Sequence, residues 1–229
     1  MVNRAEHIPT HKGKKMKKLF AFLAVVALAL PLAAQTAMPE YKAAVGSWAI
    51  KGDRLYQGDA GSMLAKINIK APQNDVMTYE FNARYEGGAE DGHGGFGVHV
   101  FADSVHPGLS WGNGNSYLLW LNYDEKPGSA DIPAGFSAQI YKSVSHREMD
   151  LVASIDLNKY AYLINSDSLK NPLPIKLVID GKTGMAKIYD PTKAGYYYAF
   201  SLGCTSPISG NWVAVRTNGL KASFGLPSS

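Results

Sequence analysis

The sequence predicts an all-β chain, a two-sheet antiparallel sandwich or a barrel, preceded by an export signal. Three observations predict it. Apolar and polar residues alternate at period two over about a dozen short segments, the period of strands whose successive side chains point to opposite faces. The chain holds 23 Gly, 12 Pro and 13 Tyr in 229 residues, a composition that suits strands and turns over helices. Past residue 35 no segment shows a convincing helical period, and no repeat recurs at a fixed spacing, so a propeller or solenoid is not expected.

The leader comes first. Lys17 and Lys18 precede the apolar run Leu19–Leu30, followed by Pro31-Leu32-Ala33-Ala34-Gln35. A basic start, an apolar stretch of about a dozen residues and small residues after it make a cleavable secretion signal. The run is too short to span a bilayer, which takes about twenty residues. Met16 reads as the start of the compact signal, and cleavage is expected near Ala34, giving a mature protein that begins between Ala34 and Pro39. No cysteine follows the apolar run, so no lipid anchor is expected. The domain reading is therefore a leader over 1–35 and a single β domain over 36–229, exported to the periplasm or beyond.

Charge separates the same way. The leader carries Arg4, Lys12, Lys14, Lys15, Lys17 and Lys18 against Glu6. From 23 basic and 19 acidic residues in all, that leaves 17 basic and 18 acidic, so the net +4 belongs to the leader. The domain offers no basic stripe of the kind nucleic acid requires. The single cysteine, Cys204, permits no internal disulfide and is expected to be a small buried hydrophobe.

The strands follow in order. Thr36–Gly46 reads as a lead-in. Trp48–Ile50 and Arg54–Gln57 flank the turn-like Lys51-Gly52-Asp53. Met63–Lys70 alternates, and Ala71–Asp75, with Pro72 and Asn74, breaks it. Val76–Tyr85 is the cleanest strand: Met77, Tyr79, Phe81, Ala83 and Tyr85 face one way, Thr78, Glu80, Asn82 and Arg84 the other. Glu86–Gly95 is an acidic loop. Gly95–Asp103 and Ser116–Tyr123 have large apolar groups on both faces, which places them mid-sheet. Between them lies a loop with Pro107, Gly108, Trp111, Gly112, Asn113 and Gly114, whose tryptophan is either a plug or a ligand platform. Phe136–Ser143 and Glu148–Leu157 turn at Ser145-His146, and Tyr160–Pro174 is less regular. Ile175–Asp180 and Met185–Asp190 form a hairpin around Gly181-Lys182-Thr183-Gly184. Lacking the upstream glycine and following helix, it is no phosphate loop. Tyr196–Leu202, Asn211–Thr217 and Leu220–Leu226 close the chain, with Asn218-Gly219 as a hairpin turn.

Three stretches carry a family resemblance: Thr78–Tyr85 with Gly95–Asp103 (TYEFNARY and GFGVHVFAD), Ile175–Asp190 (IKLVIDGKTGMAKIYD) and Gly210–Leu226 (GNWVAVRTNGLKASFGL). In their order these strands resemble the concanavalin A-like jelly-roll sandwiches, the group of lectins, laminin-G domains and glucanases. The resemblance implies a two-sheet antiparallel jelly-roll β-sandwich. The fold hosts many activities, so the resemblance implies an architecture, and function is read from the residues.

Glycoside hydrolysis needs two carboxylates flanking one bond, and the glucanase pattern Glu-x-Asp-x-x-Glu is missing. His93, His99 and His106 lack zinc spacing. No cofactor is expected, although Glu90, Asp91 or Asp103 with loop carbonyls are the groups calcium would use. The functional expectation rests on a face opposite the apolar one. Glu80, Asn82 and Arg84, then His99 and Phe101, then Trp120 and Asn122, then Gln139 and Tyr141, with Trp111 above, would mix aromatic rings with planar hydrogen-bonding groups if their strands were neighbours. Sugars are bound by such surfaces; the other reading is that Phe101 and Trp120 are buried under a loop such as that of Trp111. The expected function is a non-catalytic, lectin-like module with a glycan as partner. One alternative is a structural subunit of an extracytoplasmic assembly, such as the sheath of a periplasmic flagellar filament, with envelope or filament proteins as partners. The other is a glycoside hydrolase.

Overall fold

The structure, a computed structural model, describes residues 40–163 and 171–225; the expected signal and its cleavage point lie outside them. It is a sandwich of two antiparallel sheets, with 58% of the described residues in strands and 3% in helix. The first sheet holds, in spatial order, β1 (Tyr41–Val45), β4 (Ala65–Gln73), β13 (Gly210–Asn218), β6 (Gly94–Ala102), β7 (Ser116–Asp124), β8 (Gly135–Ser143) and β9 (Met149–Asp156). The second holds β12 (Tyr197–Ser201), β11 (Met185–Tyr189), β10 (Leu173–Asp180), β5 (Val76–Gly88), β14 (Leu220–Gly225), β3 (Arg54–Gln57) and β2 (Trp48–Lys51). A short 3-10 helix, Asn158–Leu163, follows β9. No helix among the described residues is long and apolar enough to cross a membrane.

The core lies between the sheets. Val98 and Val100 of β6, Leu119 of β7 and Ile140 of β8 meet Ala83 of β5, Leu177 and Ile179 of β10 and Phe224 of β14. Phe224 packs edge-on to Phe96 at 5.8 Å and tilted against Phe81 at 6.3 Å. Those residues are the apolar half of each period-two pattern, so alternation sets the burial. Toward one end of the sandwich a cavity of about 430 Å³ remains, lined by Ala83, Gly88, Ala89, Phe96, Leu220 and Ala222 among others. Arg84 and Tyr85 of the second sheet and Asn122 and Tyr123 of the first also line it.

Four local expectations are corrected. Tyr41–Val45, read as lead-in, pairs with β4 as an edge strand. The break at Ala71–Gln73 is a continuation of β4, because Lys70 pairs with Trp212 and Gln73 with Gly210, leaving a bulge that accommodates Pro72. The Asn218-Gly219 turn joins β13 of one sheet to β14 of the other and is no hairpin. Phe101 was placed beside His99, but a bulge separates the Ala102–Trp212 pair from the His99–Ala214 pair. Phe101 has φ +55°, donates its N–H to Gln73 Oε1 at 2.8 Å, and joins the core. Cys204 is free and half-buried, its sulfur 3.0 Å from the Tyr117 hydroxyl.

Candidate functional site

The outer face of the first sheet is laid out by its register. One cross-strand row runs Lys66, Arg216, Gly97, Trp120, Gln139 and Ser154. The row beside it runs Asn68, Ala214, His99, Leu118 and Tyr141. An antiparallel sheet commonly leaves such a face wet. Here most of it is buried: Lys66, Asn68, His99, Leu118, Trp120, Gln139 and Arg216 are all enclosed.

The Asp103–Asn115 loop, which joins β6 to β7, lies against this face. It is tied to the turn between β8 and β9: Gly112 N donates to His146 O at 3.1 Å, Asn113 N to Ser143 Oγ at 2.9 Å, and Ser143 Oγ to Gly114 O at 2.7 Å. Gly112 is needed for the fit, since a Cβ there would lie 2.1 Å from Ser145 O. Asn113 Nδ2 reaches down to Asn68 Oδ1 at 2.9 Å.

Two cations hold the loop from below. Lys66, 0% exposed, donates to Ser110 Oγ and, at 3.1 Å, to Gly112 O. Arg216, 3% exposed, donates from one terminal nitrogen to Trp111 O at 2.6 Å. Its guanidinium lies 4.9 Å from the Trp111 ring and 5.5 Å from the Trp120 ring, a contact that cations and indoles favour. Among the described residues no carboxylate is within ion-pair reach of either. Burial, and secondarily the Arg216 charge, depresses the Lys66 ammonium to about 8, and burial brings Arg216 down to about 10. His99 donates or accepts at Ser116 Oγ over 3.0 Å and is kept neutral by burial and, to a lesser degree, by the two cations.

The ten expected site residues separate into four groups. Glu80, Asn82 and Arg84 lie on β5, in the second sheet, and so cannot share a face with the rest. There Glu80 pairs with Lys176, Arg54 donates to Asn82 Oδ1 at 2.5 Å, and Arg84 meets Glu86 and the Tyr56 hydroxyl. Phe101 is in the core. The face keeps His99, Trp120, Asn122, Gln139 and Tyr141, largely enclosed and satisfying one another: Trp120 Nε1 donates to Asn122 Oδ1 at 3.0 Å, Tyr141 to Gln139 Oε1 at 2.7 Å, and Gln139 to Ser137 Oγ at 3.0 Å. Trp120, 8% exposed, packs against Gly95 and Gly97, where added Cβ atoms would come within 2.6 and 2.9 Å of its ring. It is thus no open platform. Trp111 is the reverse, 50% exposed, with its ring toward the Arg216 guanidinium.

Sequence reading missed Lys66, Asn68, Asn113 and Arg216. The available signal was a single charge within an apolar strand, as in Val213-Ala214-Val215-Arg216, which calls for a partner if the strand is central. The calcium candidates are also separated: Glu90 and Asp91 precede β6 and Asp103 follows it, at opposite ends of a nine-residue strand. No trio of His, Cys, Asp or Glu among the described residues is placed to hold a metal.

No family model matches the sequence, and no curated protein matches it. Solved structures are similar in fold. A carbohydrate-binding module, CBM66 from Bacillus subtilis, superposes with a TM-score of 0.52 at 16% identity, over 82% of this chain and 93% of that one. The metal-free carbohydrate recognition domain of Emp46p gives 0.49 at 13% identity, over 81% and 84%. A Bacillus subtilis protein of unknown function with a galectin-like fold gives 0.47 at 16%, over 81% and 86%. At such identities the likeness is one of fold.

Proposed function

We propose that this is an exported, non-catalytic carbohydrate-binding module whose platform is the outer ring face of Trp111. The observation that carries the reading is the mounting of that indole: half-exposed, with the Arg216 guanidinium against it and the Trp120 ring beyond. A ring fixed before binding loses little freedom when a sugar stacks on it. Sugar CH groups meet the ring, and exposed polar groups of the surrounding loop, such as Asn115, are available to hydroxyls. The fold's likeness to a carbohydrate-binding module supports the reading without assigning a ligand.

A glycan array probed with wild type and Trp111→Ala tests this. Wild type is expected to bind a defined sugar class, and the variant to lose at least about tenfold in affinity, or 1.4 kcal/mol, with its melting temperature unchanged. A blank array, or full binding by the variant, overturns the reading.

The structural-subunit alternative has one observation of its own. β12 is an edge strand, and Tyr197 on it lies against Tyr189 at 5.5 Å, the two rings tilted by 50° rather than stacked, with Lys187 over Tyr197. An edge strand bearing aromatics suits pairing with another chain. Pull-downs returning envelope or filament proteins, with a blank array, would favour it.

A further inference from the structure

We propose that the site at Trp111 selects an anionic sugar, one bearing a carboxylate or sulfate, through the positive charge of Arg216 and Lys66. This rests on the glycan reading and deepens it. Three features of the layer under the loop support it.

The first is the charge itself. Arg216 and Lys66 are direct register partners on β13 and β4, both enclosed, and no carboxylate among the described residues compensates them. Burying two like charges side by side opposes folding unless something else selects for it. A strut between sheet and loop needs only neutral donors. Where a charged group is kept at a cost in stability, the usual reason is a function that uses the charge.

The second is unused bonding capacity. Arg216 Nε, a donor, Asn113 Oδ1, an acceptor, and His99 Nε2 are all buried without a hydrogen-bond partner. All three residues belong to the same layer, so the loop supplies fewer partners than the face beneath it offers. Unpaired buried polar groups are uncommon in folded proteins and call for a reason.

The third is what the cations hold. Their acceptors are neutral loop oxygens: Ser110 Oγ, Gly112 O and Trp111 O. Only this single loop layer separates the two charges from the platform, and buried charges are weakly screened by salt. The loop's own acid, Asp103, accepts from Asn115 N and Nδ2 at 3.0 and 2.7 Å and from Ser104. Glu148 lies at the anchoring turn and is exposed. An anion on a sugar stacked against Trp111 therefore meets a net positive field from the cations behind the ring, on a domain that is otherwise close to neutral.

The test compares tetragalacturonate, its methyl ester and a sulfated tetrasaccharide by titration calorimetry at low and physiological salt, on wild type and Lys66→Met. The acid or the sulfated sugar is expected to bind at least about tenfold more tightly than the ester, a gap that largely survives physiological salt because the cations are enclosed. In Lys66→Met the gap should shrink several-fold, while the melting temperature holds or rises because an uncompensated charge has been replaced by a similar apolar chain. Preference for the carboxylate over the sulfate, or the reverse, identifies the source of the anion. Equal binding of acid and ester by wild type, or an unchanged preference in Lys66→Met, overturns the proposal and leaves the glycan reading standing. So does a defined neutral sugar found on the array when none of these probes binds. A blank array removes both. If Lys66→Met does not fold, the wild-type comparison of acid with ester decides alone.

Discussion

Two tryptophans that look alike in sequence have opposite roles at the residue scale. Trp120 alternates with Leu119 and Leu121, so period two leaves both its faces apolar and cannot say which is dry. In the fold it is enclosed against Gly95 and Gly97. Trp120→Ala is therefore expected to cost about 3–5 kcal/mol, as for other buried aromatic truncations. At a few degrees per kcal/mol this lowers the melting temperature by about ten degrees. Trp111→Ala should leave the melt nearly unchanged. Equal melts for the two variants would mean the burial assignment is wrong. Lys66 gives a pH signature. Its ammonium is depressed to about 8 in the folded protein, against about 10.4 in an unfolded chain. Between those values the unfolded chain holds the proton and the folded one does not, so stability rises with pH, by up to about 3 kcal/mol. Above pH of about 10 the effect is opposed, because burial raises the phenols of Tyr79 and Tyr117 and unfolded tyrosines then ionise. Melts taken from pH 7 to about 9.5 should climb in wild type and stay flat in Lys66→Met. A wild-type melt that falls over this window would contradict the buried charge.

At the scale of elements, strands were legible and their irregularities were not. Ser116–Tyr123 matches β7 to within a residue and Val76 marks the start of β5 because period two is uninterrupted there, but β5 runs on through Glu86–Gly88, where the alternation ends in glycines and reads as loop. The β4 bulge was invisible: Pro72 reads as a strand terminator when its missing N–H is the only information, and the register slip that tolerates it involves Trp212 on a distant strand. The Phe101 bulge is of the same kind. Its turn inward depends on Gly210, where a Cβ would sit 2.2 Å from the Phe101 carbonyl carbon. No local pattern reveals that approach. Gly210→Ala is expected to destabilise the domain by about 1–3 kcal/mol through overpacking, read as a lowered denaturant midpoint. A midpoint equal to that of wild type would mean that Phe101 does not pass so close.

For the whole molecule, alternation assigns each residue to a face but never a strand to a sheet. Glu80, Asn82 and Arg84 share a parity with one another, as do His99, Trp120 and Gln139 on theirs, yet β5 and β6 belong to different sheets. Consecutive strands pair only as a tendency, and here the chain crosses between layers after β5. The expected single surface was therefore two, one on each side of the sandwich. Its more informative part was hidden in β4 and β13, whose outward residues Lys66 and Arg216 become neighbours only through pairing across a long stretch of sequence. The two outer faces now compete as ligand surfaces. The first bears Trp111 over buried cations; the second bears Tyr189 and Tyr197 among lysines. The most direct discrimination is NMR shift mapping on the labelled mature domain, titrated with the strongest glycan found on the array. Saturable shifts at the Trp111 indole N–H, the Ser110–Asn115 amides and the Arg216 side chain are the predicted result. Shifts confined to Tyr189, Tyr197 and their neighbours, with the Trp111 signals unmoved, would contradict it.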